Sequence, residues 1–384
     1  MPCPRPARRA IARLVRFGVT LRLAGAAAAL ACSAPQPHWP RAVQALQPLG
    51  AVVLPRSADG PARHLGGISG ADFDPASGRW WLLSDDRGEH APVRAYELRL
   101  PIAADGAGTP QVLGVVTLKR PDGQPFARFG ADGEALRFDP CRGELLWASE
   151  GDPAHGAAPF VRRAAPDGRF LGELSLPPNL NTPPGSRRGP RPNRSFEGLG
   201  FTPDGRTLWL ALESPLLEDG PLPTTGAGAM LRFTRFERPR ADAPLVPAGQ
   251  FAYPVDALPR TGSGGGGRAD NGVSELLPID AKTLLVIERA GHEVADGRFG
   301  FRARLYIAEL AGADDVGGFE TLAGARFTPL RKRLLLDLGA TENIEAAAWG
   351  PRLPDGRATL LLVSDDNFAP HQPTMLRWFA VSER

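Results

Sequence analysis

The sequence predicts an all-β fold, a propeller of five four-stranded blades. The first observation behind this prediction is a pattern that occurs five times, at intervals of roughly 65 to 80 residues. In each copy a short apolar strand is followed by a turn and by a second apolar strand that ends in an acidic residue or close to one. The copies begin at Gly66, Gly133, Phe196, Ser274 and Ile344. A fixed period of this kind is typical of stacked or closed repeat architectures.

The second observation is that two more strand candidates follow each of the first four copies. Each is short, rich in branched or aromatic residues, and bounded by turn-forming residues. The pairs are 93–100 with 111–118, 159–166 with 169–176, 229–236 with 248–255, and 303–310 with 333–339. Two strands from the copy and two that follow it make the four antiparallel strands of a propeller blade.

The third observation concerns the two ends of the chain. The fifth copy is followed by a single strand candidate, residues 375–382, so its blade is one strand short. A strand candidate at 46–54 precedes the first copy and can complete that blade, which would close the ring and cover two sheet edges. Six blades remain the alternative, if a weak blade lies inside a long connection such as 177–196 or 254–272. Connections of that length suggest binding loops or disorder.

The N-terminal segment predicts export. Residues 1–31 contain six arginines and no acidic residue, followed by a short apolar run and small residues, as in a secretory signal peptide. Its removal takes the formal net charge from +3 to about −3, so nucleic acid is not an expected partner. Cys32 lies where a lipoprotein would be acylated, with ordinary cleavage near Ala31 or Ala34 as the alternative. The expected domains are therefore a signal peptide (1–31), a linker (32–45) and one propeller domain (46–384).

We expect a monomer in the periplasm, or one anchored to the outer membrane, that contacts the membrane only through a lipid on Cys32.

The acids of the repeats predict a metal site. In an antiparallel hairpin the first residue of one strand lies beside the last residue of the next. The predicted neighbours are Glu134 with Glu150, Glu197 with Glu213, Glu275 with Glu288, Glu345 with Asp365, and Ser69 with Asp85. The first strand of a blade lines the channel, so these side chains should ring one channel mouth. Crowded carboxylates repel one another, and Ca²⁺, which takes six to eight oxygen ligands, removes that cost. Strand capping or bonding between blades is the alternative role for each Glu.

Histidines and arginines fall near the same mouth. His90, His155, His292 and His371 each follow an acid by four or five residues, and we consider them candidates for proton transfer, with an ordinary loop role as the alternative. The candidate substrate-binding residues are Arg87, Arg194, Arg268 and Arg289. Metal and arginine together suit an anionic ester, because the metal polarises a phosphoryl oxygen and the guanidinium groups hold the remaining oxygens.

The strings GGISGADFDP, DGEALRFDP, SFEGLGFTPDG, DNGVSELLPID, NIEAAAWG and LLLVSDDNF resemble the bacterial secreted phytase-like proteins, the family named for the esterase-like activity of phytase. The resemblance covers nearly the whole mature chain. It implies a secreted propeller hydrolase of phosphate or other esters, in which Glu134, Glu197, Glu275 and Glu345 match the family pattern. Ser69 departs from that pattern at the position where a fifth acid would complete the ring.

The expected function is an exported calcium-dependent phosphoester hydrolase that acts on a small anionic substrate at the channel mouth. Two alternatives remain open. One is a carboxylic ester or lactone hydrolase on a calcium-centred propeller. The other is a non-catalytic envelope binding protein with a structural metal.

Overall fold

The computed structural model describes residues 38–57, 59–104, 106–259, 268–294 and 298–383. The predicted signal peptide, Cys32 and the first part of the linker lie outside these residues. Among the described residues, no helix is long and apolar enough to cross a bilayer. The helical elements of the described residues are two short 3₁₀ turns, at Gly60–Ala62 and Pro153–His155.

Almost all regular structure is antiparallel β-sheet. Strand β1 (Ala45–Val53) comes first and belongs to the last blade. The first blade contains β2 (Ile68–Asp74), β3 (Arg79–Ser84), β4 (Arg94–Arg99) and β7 (Gln111–Thr117), with a small ribbon of β5 (Ile102–Ala103) and β6 (Gly106–Ala107) before the last of these. The second blade contains β8 (Gly133–Asp139), β9 (Glu144–Ser149), β10 (Phe160–Ala164) and β11 (Phe170–Glu173).

The remaining blades follow the same order. The third contains β12 (Phe196–Phe201), β13 (Thr207–Leu212), β14 (Ala229–Glu237) and β15 (Val246–Val255). The fourth contains β16 (Ala269–Pro278), β17 (Thr283–Glu293), β18 (Phe299–Glu309) and β19 (Arg331–Thr341). The fifth contains β20 (Asn343–Gly350), β21 (Thr359–Asp365), β22 (Met375–Ser382) and the N-terminal strand β1.

The fifth blade closes the ring. β1 pairs antiparallel with β22, from Ala45 opposite Ser382 to Val53 opposite Met375. The prediction of five four-stranded blades closed by an N-terminal strand is confirmed, and the described part of the chain contains no sixth blade.

The hydrophobic core lies between blades. Five clusters of buried apolar side chains each join two consecutive blades, including the pair formed by the fifth and the first. Tryptophans from the repeat strands fill much of this space, and five of them are almost fully buried: Trp80, Trp147, Trp209, Trp349 and Trp378. Every blade is therefore stabilised by both of its neighbours, because apolar area is buried on each of its faces.

The innermost strands β2, β8, β12, β16 and β20 contact one another in a ring around the channel. Deep in the channel, the Arg137 guanidinium on β8 donates a hydrogen bond to the Ala71 carbonyl oxygen of β2 over 2.6 Å. The same group forms an ion pair of 2.6 Å with the Glu275 carboxylate of β16. Both side chains are at most 3% exposed. This crosslink joins three inner strands.

Candidate functional site

Every inner strand carries a β-bulge near its start, where the pairing with the second strand skips one residue. A bulge bends the strand and re-aims the side chain of the extra residue. The five extra residues are Ser69, Glu134, Glu197, Ser274 and Glu345. The three glutamates of this set line one cavity at the channel mouth.

A second set of equivalent positions lies just beyond the bulge on the second strand. The backbone N–H of Asp85, Glu150 and Glu213 donates over 2.7, 3.0 and 2.8 Å to the carbonyl oxygen of the residue just before the inner strand. In the fifth blade Asp365 pairs with Asn343, and in the fourth Arg289 pairs with Gly272. The second set is therefore Asp85, Glu150, Glu213, Arg289 and Asp365.

The fourth blade departs from the sequence prediction by one residue on each strand. Glu275 and Glu288 were expected at the channel mouth, but Ser274 and Arg289 occupy the equivalent positions there. Glu275 follows the bulge, and its side chain pairs with Arg137 inside the channel. The spacing of the repeats contains a signal for this shift. The two sets are separated by the same number of residues in the first three blades, whereas Glu275 and Glu288 are three residues closer together.

Glu288 is held on the other side of β17. It accepts hydrogen bonds from the Tyr253 hydroxyl over 2.7 Å and from the Asp256 backbone N–H over 3.1 Å. It also forms an ion pair with Lys332. The side chain is 1% exposed and does not line the cavity.

The cavity has a volume of about 810 Å³ and opens to solvent. Seven of the nine acids that the sequence predicts as metal ligands line it: Asp85, Glu134, Glu150, Glu197, Glu213, Glu345 and Asp365. Four further acids line it that the sequence analysis did not single out: Asp86, Glu89, Asp132 and Asp270. Asp132 and Asp270 were missed because they lie before the first residues of their repeat copies, Gly133 and Ser274, where turn residues are also expected.

Two groups of cavity acids have the geometry of a metal site. Ligand atoms of Asp85, Glu345 and Asp365 lie within 4.8 Å of one another, and the same holds for Asp132, Glu134 and Glu150. We call them the blade 1/5 cluster and the blade 2 cluster. Both offer only carboxylate oxygens, which suits a hard cation such as Ca²⁺ better than Zn²⁺.

The electrostatics of the cavity favour a bound cation. Burial raises the pKa of Asp85, Glu134, Glu150 and Asp365 well above the usual range, and repulsion between neighbouring carboxylates adds to the effect. Burial also raises the pKa of Asp132 to about 7. Protein side chains alone therefore do not compensate these negative charges, and a divalent ion would.

Arg289 places a positive charge beside the blade 1/5 cluster. Its guanidinium lies 3.3 Å from Glu213 Oε1 and 3.6 Å from Glu345 Oε1. Its buried Nε has no hydrogen-bond partner. Burial raises the pKa of Glu213 to about 7, and the charge of Arg289 limits the increase.

Three of the four predicted arginines line the cavity: Arg87, Arg194 and Arg289. Arg194 comes from the long 177–196 connection and lies 3.2 Å from Asp270. That connection is held by hydrogen bonds to the loop after β13, since Arg191 donates to the Pro215 and Gly220 carbonyl oxygens over 2.9 and 2.6 Å. Arg268 lies outside the cavity, where it pairs with Glu293 over 3.3 Å. Most of the 254–272 connection's glycine-rich part is outside the described residues.

The histidines divide into two groups. His90 and His371 line the cavity, and the His90 ring stacks on Phe368 with centroids 4.2 Å apart. His155 lies outside it, because its Nδ1 pairs with Asp152 over 2.9 Å and its ring stacks on Phe129. His292 belongs to β17 and does not line the cavity either.

Backbone strain concentrates at the rim. Among the described residues, four non-glycine residues have a positive φ: Phe129 at 64°, Asn193 at 55°, Asn367 at 47° and Phe368 at 51°. The last three line the cavity, and Phe129 lies under the Arg87 guanidinium. Residues held in this region of backbone conformation cost free energy and cluster at functional sites.

The fold and the site define this protein as a five-bladed β-propeller with an acidic cavity at one channel mouth that could hold a metal ion. The family model described as phytase-like, esterase-like activity of phytase, matches residues 63–368. The chain belongs to this family, which confirms the resemblance seen in its repeated strings.

Comparison with solved structures gives several full-length but distant likenesses. The catalytic domain of the GH62 α-L-arabinofuranosidase of Coprinopsis cinerea is 11% identical, with 89% of this chain and 98% of that chain covered and a TM-score of 0.37. The α-L-arabinofuranosidase PaAbf62A of Podospora anserina is 9% identical, with 90% and 98% covered and a TM-score of 0.40. A glucose dehydrogenase is 19% identical, with 85% and 84% covered and a TM-score of 0.33. A search of curated protein sequences finds no match.

Proposed function

We propose that this protein is an exported, calcium-dependent phosphoester hydrolase that acts on a small anionic substrate in the acidic cavity. The observation that carries the proposal is the arrangement of two oxygen-only clusters and Arg289 around one solvent-accessible space. Acids alone would repel an anion, and arginine alone would not activate it. The combination suits an ester that is both anionic and in need of polarisation.

The metal sites of the proposal are the two acidic clusters. When bound there, Ca²⁺ would supply charge stabilisation and would lower the pKa of a coordinated water. The carboxylates of Asp85, Glu345 and Asp365 come from two blades, so the closed ring fixes their separation. The blade 2 cluster lies within one hairpin and the residue before it.

The protein's own residues would orient the substrate and move protons. Arg289 and Arg194 line the cavity and can hold phosphoryl oxygens. Burial raises the pKa of Glu213, which belongs to neither cluster, to about 7, so this carboxyl can gain or lose a proton near neutral pH. His90 and His371 are further candidates at the rim.

Export and a possible lipid anchor belong to the same proposal. Their support is the arginine-rich, acid-free start of the chain and the position of Cys32 after an apolar run. We also propose that nucleic acid is not a partner, because loss of the arginine-rich start takes the formal net charge from +3 to about −3.

Hydrolysis of a carboxylic ester or lactone is the second candidate function. The family description, esterase-like activity of phytase, favours it. The same clusters would polarise a carbonyl oxygen as well as a phosphoryl oxygen.

Calcium titration tests the metal half of the proposal. A ligand that binds only the folded state adds about 2.7 kcal/mol to the free energy of unfolding at a hundredfold excess over its Kd, so Ca²⁺ should raise the melting temperature of metal-free protein by several degrees. Glu150→Gln removes a blade 2 ligand and should weaken this response. Glu144→Gln, at the opposite end of β9, is the matched control, because Glu144 pairs with Arg163 over 2.8 Å away from the cavity. No calcium response in the wild type would refute the metal site.

A panel of phosphate and acyl esters tests the chemistry. Calcium-dependent turnover of phosphate esters is expected, and Arg289→Gln should lower kcat/KM by about ten- to a hundredfold, the value of a charge-assisted hydrogen bond. Arg331→Gln is the control, since Arg331 forms an exposed ion pair with Glu309. Turnover of acyl esters alone would favour the second candidate. Calcium binding without turnover of any ester would favour a non-catalytic binding protein.

A further inference from the structure

A smaller cavity of about 310 Å³ opens beside the acidic one and has a different character. Val294, Phe299 and Phe301, from the β17–β18 hairpin, form its apolar wall. Phe299 and Phe301 also line the acidic cavity, together with Asp365 and His371. We call this space the side pocket. Because the two cavities share these residues, they lie next to each other.

The side pocket is a defined surface. The rings of Phe299 and Phe301 lie nearly parallel, with centroids 6.4 Å apart and an interplanar angle of 28°. Arg268 lies over the Phe299 ring at 5.2 Å, and Arg289 lies 5.9 Å from the Phe301 ring centroid. Two guanidinium groups therefore restrict the rings from the cavity side and from the outer side.

One carboxylate of the side pocket is already paired with a guanidinium group. Glu342, which lines the side pocket, accepts hydrogen bonds from Arg377 over 2.7 and 2.9 Å. The pocket therefore offers apolar area next to polar groups, among them the paired Glu342, the blade 1/5 ligand Asp365, and Arg298 and His371. A polyol that carries several phosphates would gain nothing from the phenylalanine rings, whereas an alkyl or aryl group would be removed from water there.

We propose that the side pocket binds the apolar substituent of the substrate, so that the preferred substrate is an amphiphilic ester. Its polar group would reach the blade 1/5 cluster and Arg289, and its short alkyl or aryl group would pack on Phe299 and Phe301. This inference rests on the proposed function, because it assumes that the ester binds in the acidic cavity. It adds the class of substituent and the residues that select it.

A series of n-alkyl phosphates from methyl to hexyl tests the inference, because the reactivity of the leaving group hardly changes along the series. With calcium-loaded protein, kcat/KM should rise roughly two- to fourfold for each methylene until the pocket is full. Phe301→Ala should flatten this dependence, and Phe301→Leu should retain part of it. Leu334→Ala is the control, because Leu334 is a 52% exposed side chain on the outer strand β19. If Phe301→Ala does not fold, Phe299→Ala provides the same test.

Binding separates this inference from the proposed hydrolysis. Calorimetry with n-alkylphosphonates, which are not hydrolysed, should show affinity that increases with chain length in the wild type and not in Phe301→Ala. Chain-length-dependent binding without turnover of any ester would support the side pocket while the proposed function fails. Turnover and binding that do not depend on chain length would overturn the inference about the side pocket, while the proposed function stands.

Discussion

Arg289 shows how one residue changes the character of a symmetric site. The other four blades place an acid at this position: Asp85, Glu150, Glu213 and Asp365. A fifth acid would add negative charge to a cavity whose carboxylates already repel one another. Arg289 instead lies 3.3 Å from Glu213 and gives the cavity a positive side. The five blades share one backbone arrangement, but this equivalent position is acidic in four of them and basic in the fourth blade.

The raised pKa values of the cavity acids predict an unusual dependence of stability on pH. Asp132 and Glu213 titrate near 7 in the folded protein against ordinary values of 3.8 and 4.5. At pH values between the ordinary pKa and the raised pKa of these groups, the folded metal-free protein binds more protons than the unfolded chain does. Its free energy of unfolding should therefore fall as the pH rises from about 4 to about 7. Calcium should reverse this trend, since a cation replaces the protons.

Thermal melts of chelator-dialysed protein between pH 5 and pH 8, with and without calcium, provide the measurement. We expect the melting temperature to fall with pH in the metal-free samples and to stay level or rise in the calcium samples. A metal-free protein that gains stability over the same range would show that these carboxylates are not raised in pKa.

The sequence shows most of the site at the residue scale because each acid recurs at an equivalent place in a hairpin. Glu134, Glu197 and Glu345 could be predicted together for that reason. Asp132 and Asp270 could not, because nothing in the sequence separates a cavity acid from a turn acid until the loop is placed. His155 and Arg268 were expected at the cavity, but each has its own partner, Asp152 and Glu293 respectively.

The inner strand is the element that decides where the acids point. Its bulge inserts one residue, and side chains alternate along a strand, so a shift of one residue reverses the face. In β16 this shift moves Glu275 from the expected channel mouth to the channel interior, beside Arg137. Strand positions could be predicted from apolar runs, but the bulge could not, because no residue type marks it in all five copies.

Breaking the Arg137–Glu275 pair tests the structural role of this crosslink. Both side chains are at most 3% exposed, so Glu275→Ala leaves a buried guanidinium without its counter-ion. The free energy of unfolding should fall by about 3 to 5 kcal/mol in urea denaturation. Glu309→Ala, which breaks the exposed pair with Arg331, should cost less than about 1 kcal/mol.

The double variant Glu275→Leu with Arg137→Met should recover most of the loss, because it removes both charges. A Glu275→Ala protein as stable as the Glu309→Ala control would mean that the buried pair does not hold the inner strands together.

At the scale of the whole molecule, closure depends on β1. This strand completes the fifth blade, and the clusters on both sides of that blade complete the continuous core. The sequence predicted this closure because the repeats left one blade a strand short at the C-terminus and one strand in excess at the N-terminus. A count of strands was sufficient, and no contact between distant residues had to be known.

A chain that begins at residue 55 tests the closure. Without β1 the backbone of β22 becomes an exposed sheet edge, so we expect a much lower melting temperature and association in size-exclusion chromatography. A chain that begins at residue 38 serves as the control. A synthetic peptide of residues 44–54 should restore part of the stability. An unaltered melting temperature in the shorter chain would show that the other nineteen propeller strands hold the ring closed unaided.

The direction of β1 also decides which side of the molecule an upstream attachment would occupy. Ala45 pairs with Ser382 at the end of β22 farthest from Asp365, and the Trp39 indole donates to the carbonyl oxygen of Pro278, the last residue of β16. The polypeptide thus reaches β1 from the face of the propeller opposite the acidic cavity. A group attached ahead of residue 38, a lipid included, would lie on the face of the propeller opposite the acidic cavity. The cavity would then be directed away from the attachment, towards incoming solutes.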